Sequence, residues 1–236
     1  MSQEREHSSI WSSSKAWRPI IRYYEQCLQK HGATPEGLDW PNGADLATRF
    51  GVMLELLSEA GERPELLDLG CGAGFLLDFL SATENIERVS YRGIDLSSQM
   101  VALARQRWPR YSFSCRDIIA EPLPDQSADV VLMNGVLTER VSIGVETMTG
   151  LAQSLVRAAF RVARLGIVFN VMNAHVDWQR DDLFHWPFDA LAKFLRRDVS
   201  AHYTFRADYG LYEYACIVWR QPRRSVATLR DNWWLR

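Results

Sequence analysis

The chain has 236 residues, of which 47% are hydrophobic and 24% are charged, and its formal net charge is −2. This composition is typical of a globular protein with a large apolar core, and the length suits one large domain. The near-neutral charge argues against a broadly basic face that binds nucleic acid. The four cysteines include no Cys-x-x-Cys pair, so neither a zinc site nor a thioredoxin-like motif is indicated.

The N-terminal segment is polar and serine-rich, and it lacks the apolar centre of a signal peptide. No stretch of the sequence reaches the roughly 20 apolar residues that a membrane-spanning helix needs. We therefore expect a cytoplasmic protein with reduced cysteines and no membrane segment.

Two helices are predicted before the first strand. The first covers residues 16–32 and ends at Gly32, with Pro19 tolerated in its first turn. The second covers residues 46–61, with Asp45 as its predicted N-cap. We expect residues 1–45 to form a helical cap or lid, residues 46–220 to form the main domain, and residues 221–236 to form a C-terminal tail.

Strands and helices then alternate along the chain. Short apolar runs predict strands at residues 64–70, 88–95, 111–117, 128–135 and 165–173, with helices between them. Ser97 is the predicted N-cap of the helix at residues 97–108. A helix at residues 187–197 is followed by two β-rich runs that predict a hairpin. The expected fold is α/β: a Rossmann-like, doubly wound, seven-stranded sheet, mostly parallel with an antiparallel C-terminal edge hairpin, and with helices on both faces.

A glycine-rich motif, Asp68-Leu-Gly-Cys-Gly-Ala-Gly74, follows the first predicted strand. In doubly wound sheets such a turn lets a ligand lie against the backbone. A dinucleotide site would need a third glycine at position 75, where this chain has Phe75. Asp68 would oppose a pyrophosphate but suits an ammonium or sulfonium group. No Gly-Lys-Ser/Thr follows, which excludes a phosphate-binding P-loop.

This motif resembles the first motif of the class I S-adenosylmethionine-dependent methyltransferases, and the resemblance extends from about Pro64 to Asn170. It implies S-adenosylmethionine as cofactor and S-adenosylhomocysteine as product. It also implies that Asp95, 21 positions beyond Gly74, accepts the ribose hydroxyls. The motif residues expected at the cofactor are Asp68, Gly70, Cys71, Gly72 and Gly74.

The same resemblance assigns the remaining cofactor contacts. Leu96 and Met100 are expected to flank the adenine, Asp117 to bind its amino group, and Ile118 to stack on the ring. The segment from Asn134 through Gly135 to Val136 is expected to face the transferable methyl group.

Three further residues are candidates of a different kind. Arg49 is a candidate for the cofactor carboxylate, with an exposed helical arginine as the alternative. Tyr24, with Tyr23, is a candidate lid over the cofactor, with packing in the core as the alternative. Cys71 is most simply a small space-filling residue inside the glycine loop.

Methyl transfer from a sulfonium mainly requires positioning of the partners, and a base is needed only when the nucleophile holds a proton. Histidine is the natural proton acceptor near neutral pH. We therefore predict that His175, in the loop after the fifth strand, is the catalytic base, with Trp178 and Trp186 as walls for the acceptor. A loop histidine at the surface is the alternative.

The predicted activity is that of an S-adenosylmethionine-dependent methyltransferase (EC 2.1.1.-) acting on a small molecule, with oxygen as the preferred nucleophile. Residues 23–40, 169–186 and 208–220 also resemble the matching segments of a bacterial subgroup of small-molecule methyltransferases. The Asn-Pro-Pro-Tyr signature of base-amino methylation and a Pro-Cys nucleophile are both missing, which argues against a nucleic-acid substrate. An RNA or protein methyltransferase, a silent cofactor-binding subunit and a dehydrogenase remain as alternatives. No metal is predicted, and a monomer and a homodimer are both left open.

Overall fold

A computed structural model describes residues 15–40, 42–55 and 60–222 of the chain. Its centre is one seven-stranded sheet. The strands are β1 (Glu65–Leu69), β2 (Ser90–Asp95), β3 (Ser112–Cys115), β4 (Ala128–Leu137), β5 (Ala163–Met172), β6 (His202–Arg206) and β7 (Glu213–Trp219). Their order across the sheet is β3-β2-β1-β4-β5-β7-β6. The predicted α/β fold is therefore confirmed.

The five strands from β1 to β5 are parallel, and β7 and β6 add the antiparallel edge. β1 pairs with both β2 and β4, β5 pairs with β4, and β7 runs antiparallel to both β5 and β6. The predicted hairpin is confirmed, and its second strand lies between β5 and its first strand. The strand order reverses between β1 and β4, because β2 and β3 lie on one side of β1 and β4 lies on the other. A crevice therefore forms at the carboxyl ends of β1 and β4.

Helices cover both faces of the sheet and bury two apolar clusters. The helices are α1 (Arg18–His31), α2 (Gly43–Leu54), α3 (Phe75–Ala82), α4 (Ser98–Arg107), α5 (Val145–Val162) and α6 (Phe188–Asp198). One cluster packs α1, α5 and α6 on one face, and the other packs α2, α3 and α4 on the opposite face. Residues of β1 alternate between the two clusters, since Leu67 belongs to the first cluster and Leu66 to the second.

The N-terminal helix α1 docks on the sheet. Trp17, just before the helix, is 3% exposed, and Ile20 is buried in the same cluster as β1 and α5. The boundary at residue 45 between the N-terminal cap or lid segment and the main domain stays a prediction, although α2 extends across this position. Most of the predicted C-terminal tail, from residue 223 onward, lies outside the described residues.

One predicted helix cap needs correction and another is confirmed. The N-cap of α2 is Asn42, whose Oδ1 accepts a hydrogen bond from the Asp45 backbone N–H at 2.7 Å, so Asp45 is not the cap. Ser97 caps α4 by accepting from the Met100 N–H at 3.3 Å, as predicted. Asn134 lies in β4, within the predicted strand, and the pairing of β4 with β5 is irregular between Met133 and Leu137.

Within the described residues, no helix combines the length and apolar character needed to cross a membrane.

Candidate functional site

The glycine loop after β1 is fastened to the end of β2. The backbone N–H groups of Gly70 and Cys71 both donate to the Ile94 carbonyl, at 2.7 and 3.1 Å. Gly70 and Gly72 have φ values of 80° and 51°, a region that side chains rarely adopt. The backbone N–H of Gly72 donates to Asp95 Oδ2 at 2.8 Å. The loop and Asp95 therefore form one rigid unit.

Asp95 is oriented by backbone donors on both of its carboxylate oxygens. Its Oδ1 accepts from the Ser97 N–H at 2.8 Å, while Oδ2 holds Gly72. Burial raises the pKa of this carboxyl group, and the bonds from Ser97 and Gly72 oppose that rise. Each oxygen keeps a further lone pair, so the carboxylate can still accept hydrogen bonds from a ligand.

A pocket opens at the carboxyl ends of β1, β2 and β4. It encloses about 930 Å³ of space, part of which is open to solvent. Most of the residues predicted for the cofactor line it, although they come from separate parts of the chain. They are Tyr24, Gly70, Gly72, Asp95, Leu96, Met100, Asp117, Ile118, Asn134 and Gly135.

Two buried acceptor atoms, on residues that line this pocket, have no hydrogen-bond partner among the described residues. They are Oδ2 of Asp117 and Oδ1 of Asn134. The other oxygen of Asp117 accepts from the Ile119 N–H at 2.9 Å, which fixes the carboxylate in place. Buried polar atoms in proteins are almost always paired. The pocket therefore fits a ligand that supplies N–H or O–H donors at these two points.

Four predicted cofactor residues do not line the pocket. Asp68 is 3% exposed and accepts a hydrogen bond from the Tyr91 hydroxyl at 2.8 Å, and burial raises its pKa to about 7. Its predicted role beside a sulfonium or ammonium group is thus not supported, because its side chain turns into the core. Cys71 is also buried in the core, and Gly74 is the N-cap of α3.

Arg49, the fourth, pairs with an acid of the chain instead of lining the pocket. Its Nε donates to Glu213 Oε2 at 2.8 Å, and its guanidinium lies 4.2 Å from the centre of the Trp40 ring. Glu213 in turn accepts from Asn170, whose Oδ1 accepts from the Gly135 N–H at 2.7 Å. This buried chain of contacts joins α2 to the end of β4.

Apolar side chains from the chain before α2 also line the pocket. Trp17, Ile20 and Ile21 line it from the start of α1, and Leu38 and Trp40 line it from the segment after α1. Trp40 lies so close to Gly135 that a Cβ there would meet its ring at 2.6 Å. The Tyr23 hydroxyl donates to Asp39 Oδ2 at 2.7 Å and so ties this segment to α1.

The predicted base His175 lies outside the pocket. It is exposed, and its ring stacks on Phe188 at 5.6 Å between centroids. The Asn173 side chain accepts a hydrogen bond from the His175 backbone N–H at 2.8 Å. Trp178 is 62% exposed, whereas Trp186 is buried in the core. The positions of these three residues do not support the predicted acceptor wall, and the role of His175 stays a prediction.

Sequence reasoning missed one buried carboxyl group near the end of β4, that of Glu139. Glu139 is 7% exposed, its Oε2 has no partner among the described residues, and burial together with Asp39 and Asp182 raises its pKa to about 7. His185, in the loop after β5, has Nδ1 2.7 Å from the Asn173 carbonyl oxygen, and its Nε2 is buried with no hydrogen-bond partner among the described residues. The sequence pattern that could have identified Glu139 is a charged residue two positions after an apolar strand.

Comparisons with known proteins agree with this site. Residues 66–166 match a family described as "Methyltransferase domain". A Mycobacterium tuberculosis protein named as a methyltransferase, Rv1506c, is 33% identical over 156 residues, which are 64% of this chain and 90% of that protein. A Mycolicibacterium smegmatis protein named as an S-adenosylmethionine-dependent methyltransferase is 32% identical over 123 residues, 52% of this chain and 43% of that protein.

Solved structures share the fold at low sequence identity. Magnesium protoporphyrin IX methyltransferase from Synechocystis, with bound S-adenosylmethionine, has a TM-score of 0.53 at 15% identity and covers 75% of this chain and 81% of its own. The 1,6-didemethyltoxoflavin-N1-methyltransferase of Burkholderia thailandensis has a TM-score of 0.57 at 18% identity, over 87% of this chain and 88% of its own.

Proposed function

Because this chain belongs to the class I S-adenosylmethionine-dependent methyltransferases, we propose that it methylates a small molecule at an oxygen atom. The observation that carries the proposal is the pocket at the ends of β1 and β4. Its side next to α1 is formed by aromatic and aliphatic side chains, which suit a partly apolar acceptor of limited size.

The pocket residues fit S-adenosylmethionine. Asp95 is oriented to accept the two ribose hydroxyls, and Oδ2 of Asp117 is a buried acceptor for the adenine amino group. Oδ1 of Asn134 is a second buried acceptor, at the end of β4, for a donor at the methionine end. Leu96 and Ile118 supply apolar contacts to the adenine ring. This one cofactor carries a donor for each of these two acceptors, which supports it as the ligand of the pocket.

The chain's contribution to the reaction is binding, orientation and exclusion of water. The cofactor supplies a methyl group on a sulfonium, which is reactive without further activation. Trp40 and Tyr24 close the pocket on the side of α1, so the acceptor meets the methyl group in a largely dry site. The Asn170 side chain holds the Gly135 N–H and so keeps the end of β4 in position.

Two further points support a small-molecule acceptor. The solved neighbours named above carry small-molecule acceptors in their names. The net charge of −2 gives no basic surplus for an RNA backbone.

Transfer of a labelled methyl group tests this proposal. The purified protein is incubated with methyl-labelled S-adenosylmethionine and, separately, with phenols, carboxylic acids, amines, RNA and a peptide mixture. We expect label in hydroxyl- or carboxyl-bearing small molecules, and none with the Asp95→Ala variant. Label only in RNA or peptide would contradict the proposal, and cofactor binding without any transfer would favour a silent subunit.

A further inference from the structure

Three polar side chains are buried together, one contact away from the lining of the pocket. Asn170, near the end of β5, is fully buried, Glu213 at the start of β7 is 1% exposed, and Arg49 of α2 is 8% exposed. Burying such groups costs free energy unless each of them is paired. Their contacts lead to two residues that line the pocket, Gly135 and Trp40.

The Asn170 amide has one orientation that satisfies both of its neighbours. The Gly135 backbone N–H lies 2.7 Å from Asn170 Oδ1, and because a backbone N–H only donates, the amide oxygen has to face it. The NH₂ group of the same amide then donates to Glu213 Oε1 at 3.0 Å. A carboxylate accepts hydrogen bonds and does not donate them, so it would repel the amide oxygen. Glu213 therefore holds Asn170 in the orientation that binds Gly135.

The Glu213 carboxylate is itself held by donors on both oxygens. Besides the bond just described, Oε1 accepts from the Tyr209 hydroxyl at 3.3 Å, and Oε2 accepts from Arg49 Nε at 2.8 Å. The Arg49 guanidinium lies 4.2 Å from the centre of the Trp40 ring, so the carboxylate also fixes the cation that packs on Trp40. Glu213 thus links Trp40 to the β4 side of the pocket.

Gly135 is the point at which this chain of contacts meets the site. Its φ of 76° lies in the left-handed region, and its carbonyl accepts from the Thr138 hydroxyl at 2.9 Å. The Gly135 N–H belongs to the peptide bond that follows Asn134, which carries one of the two buried acceptor atoms without a partner among the described residues. A rotation of this peptide would displace the Asn134 side chain as well. The bond from Gly135 to Asn170 opposes that rotation.

We propose that Glu213 is a positioning residue for the cofactor site, because it orients the Asn170 amide that keeps Gly135 and Asn134 in place. This rests on the proposed function, which takes S-adenosylmethionine as the ligand of the pocket. Glu213 does not itself line the pocket, so it acts through the residues that it holds.

The change Glu213→Gln tests this role. It leaves one acceptor oxygen where two are needed, since Arg49 and the Asn170 NH₂ group both donate to the carboxylate. If the remaining oxygen serves Arg49, the new NH₂ group opposes that of Asn170. The Asn170 amide then turns and presents its NH₂ group to the Gly135 N–H. We expect about tenfold weaker binding of S-adenosylhomocysteine, measured by calorimetry.

An exchange of the acid and the amide should restore the affinity. In Glu213→Gln combined with Asn170→Asp, the new carboxylate accepts from the Gly135 N–H and from the new NH₂ group, whose oxygen accepts from Arg49. The number of charges is unchanged. We expect the double variant to bind S-adenosylhomocysteine within about threefold of wild type. Asn170→Asp alone should bind more weakly, because it sets two carboxyl groups against each other.

Tyr214→Phe is the control for a loss of stability alone. Tyr214 is next to Glu213 in β7, is fully buried, and donates to the Trp186 carbonyl at 2.7 Å. This change removes a buried hydrogen bond but leaves the contacts from Glu213 to Gly135 intact. All affinities are measured at a temperature where circular dichroism shows each variant to be folded. We expect Tyr214→Phe to bind S-adenosylhomocysteine as wild type does.

The amide NMR signal of Gly135 gives a second readout, which reports the hydrogen bond to Asn170 directly. We expect the signal to shift in Glu213→Gln, to return toward its wild-type position in the double variant, and to stay unchanged in Tyr214→Phe. If Glu213→Gln does not fold, Asn170→Ala takes its place with the same expected loss of affinity, since it keeps Glu213 paired with Arg49.

Three results would overturn this inference and leave the proposed function standing. They are wild-type affinity in the single variant, an equal loss of affinity in Tyr214→Phe, and a double variant that binds as weakly as Glu213→Gln. Failure of the wild-type protein to bind S-adenosylmethionine and S-adenosylhomocysteine would overturn the proposed function, and the inference with it.

Discussion

Asp95 has its orientation set by Gly72 and Ser97 before any ligand binds. Asp95→Asn replaces one acceptor oxygen by an NH₂ group, which opposes one of these N–H groups. We expect a roughly 10- to 100-fold loss of affinity for S-adenosylhomocysteine, since a hydrogen bond to a charged group contributes about 1.5–3 kcal/mol. Calorimetric titration with S-adenosylhomocysteine measures this loss of affinity, and Asp189→Asn, at an exposed position, is the control. If Asp95→Asn and Asp189→Asn bind S-adenosylhomocysteine with equal affinity, Asp95 is not part of the cofactor site.

Asp117 has one oxygen that accepts from the Ile119 N–H and a free oxygen that is buried and has no partner among the described residues. If the free oxygen accepts from the adenine amino group, Asp117→Asn turns an amide NH₂ toward that group. We expect wild type to prefer S-adenosylhomocysteine to its inosine analogue by at least about tenfold, because the inosine oxygen is itself an acceptor. The variant should lose this preference. Competition binding measures both ligands, and an unchanged ratio would contradict the assignment.

Asp68 is a buried carboxyl group whose pKa is raised to about 7 by burial. The unfolded chain ionises this group at its ordinary, lower pKa, so the fold loses stability as pH rises from about 4 through 7. Asp68→Asn cannot ionise and still accepts from Tyr91. We expect the variant and wild type to melt at similar temperatures at pH 4, and the variant to melt higher at pH 8. If the difference in melting temperature between the variant and wild type is the same at pH 4 and at pH 8, Asp68 does not titrate as described.

At the scale of elements, the segment after α1 meets the end of β4 at Trp40 and Gly135. Gly135 has a φ of 76°, and a Cβ there would lie 2.6 Å from the Trp40 ring. We expect Gly135→Ala to destabilise the fold by on the order of 1–3 kcal/mol through backbone strain. We also expect it to displace Trp40 and change its fluorescence.

Gly51→Ala is the matched control, because Gly51 lies in α2 and no atom of the described residues lies within 4 Å of its Cβ position. In a helix this change should be neutral or stabilising by about 0.5–1 kcal/mol. Denaturant unfolding followed by fluorescence compares the two variants. Equal stabilities would contradict the described contact between Trp40 and Gly135.

The elements themselves were largely predictable, because their signals are local. Apolar runs of strand length, the glycine turn and Ser97 as a cap depend on neighbouring residues only. The cap of α2 was harder, since Asn42 and Asp45 are both good capping residues three positions apart. The place of β7 between β5 and β6 was not predicted, because strand order depends on contacts between distant segments.

At the scale of the whole molecule, the site brings together α1, the glycine loop and the ends of β2 and β4. The motif residues of this site could be predicted because the family pattern fixes them in order. The orientation of Asp68 could not, since it depends on Tyr91 in the next strand. Glu139 was missed because its burial arises only when the segments carrying Tyr24, Asp39 and Asp182 fold over it.

Calorimetric titration with S-adenosylmethionine, S-adenosylhomocysteine and NADH tests the central claim most directly. The geometry of Asp95, Asp117 and the glycine loop predicts binding of the first two in the micromolar range, about −8 kcal/mol, and no binding of NADH. Affinity for both should fall together in Asp95→Asn. Binding of NADH, or of none of the three, would contradict the assignment of this pocket to S-adenosylmethionine.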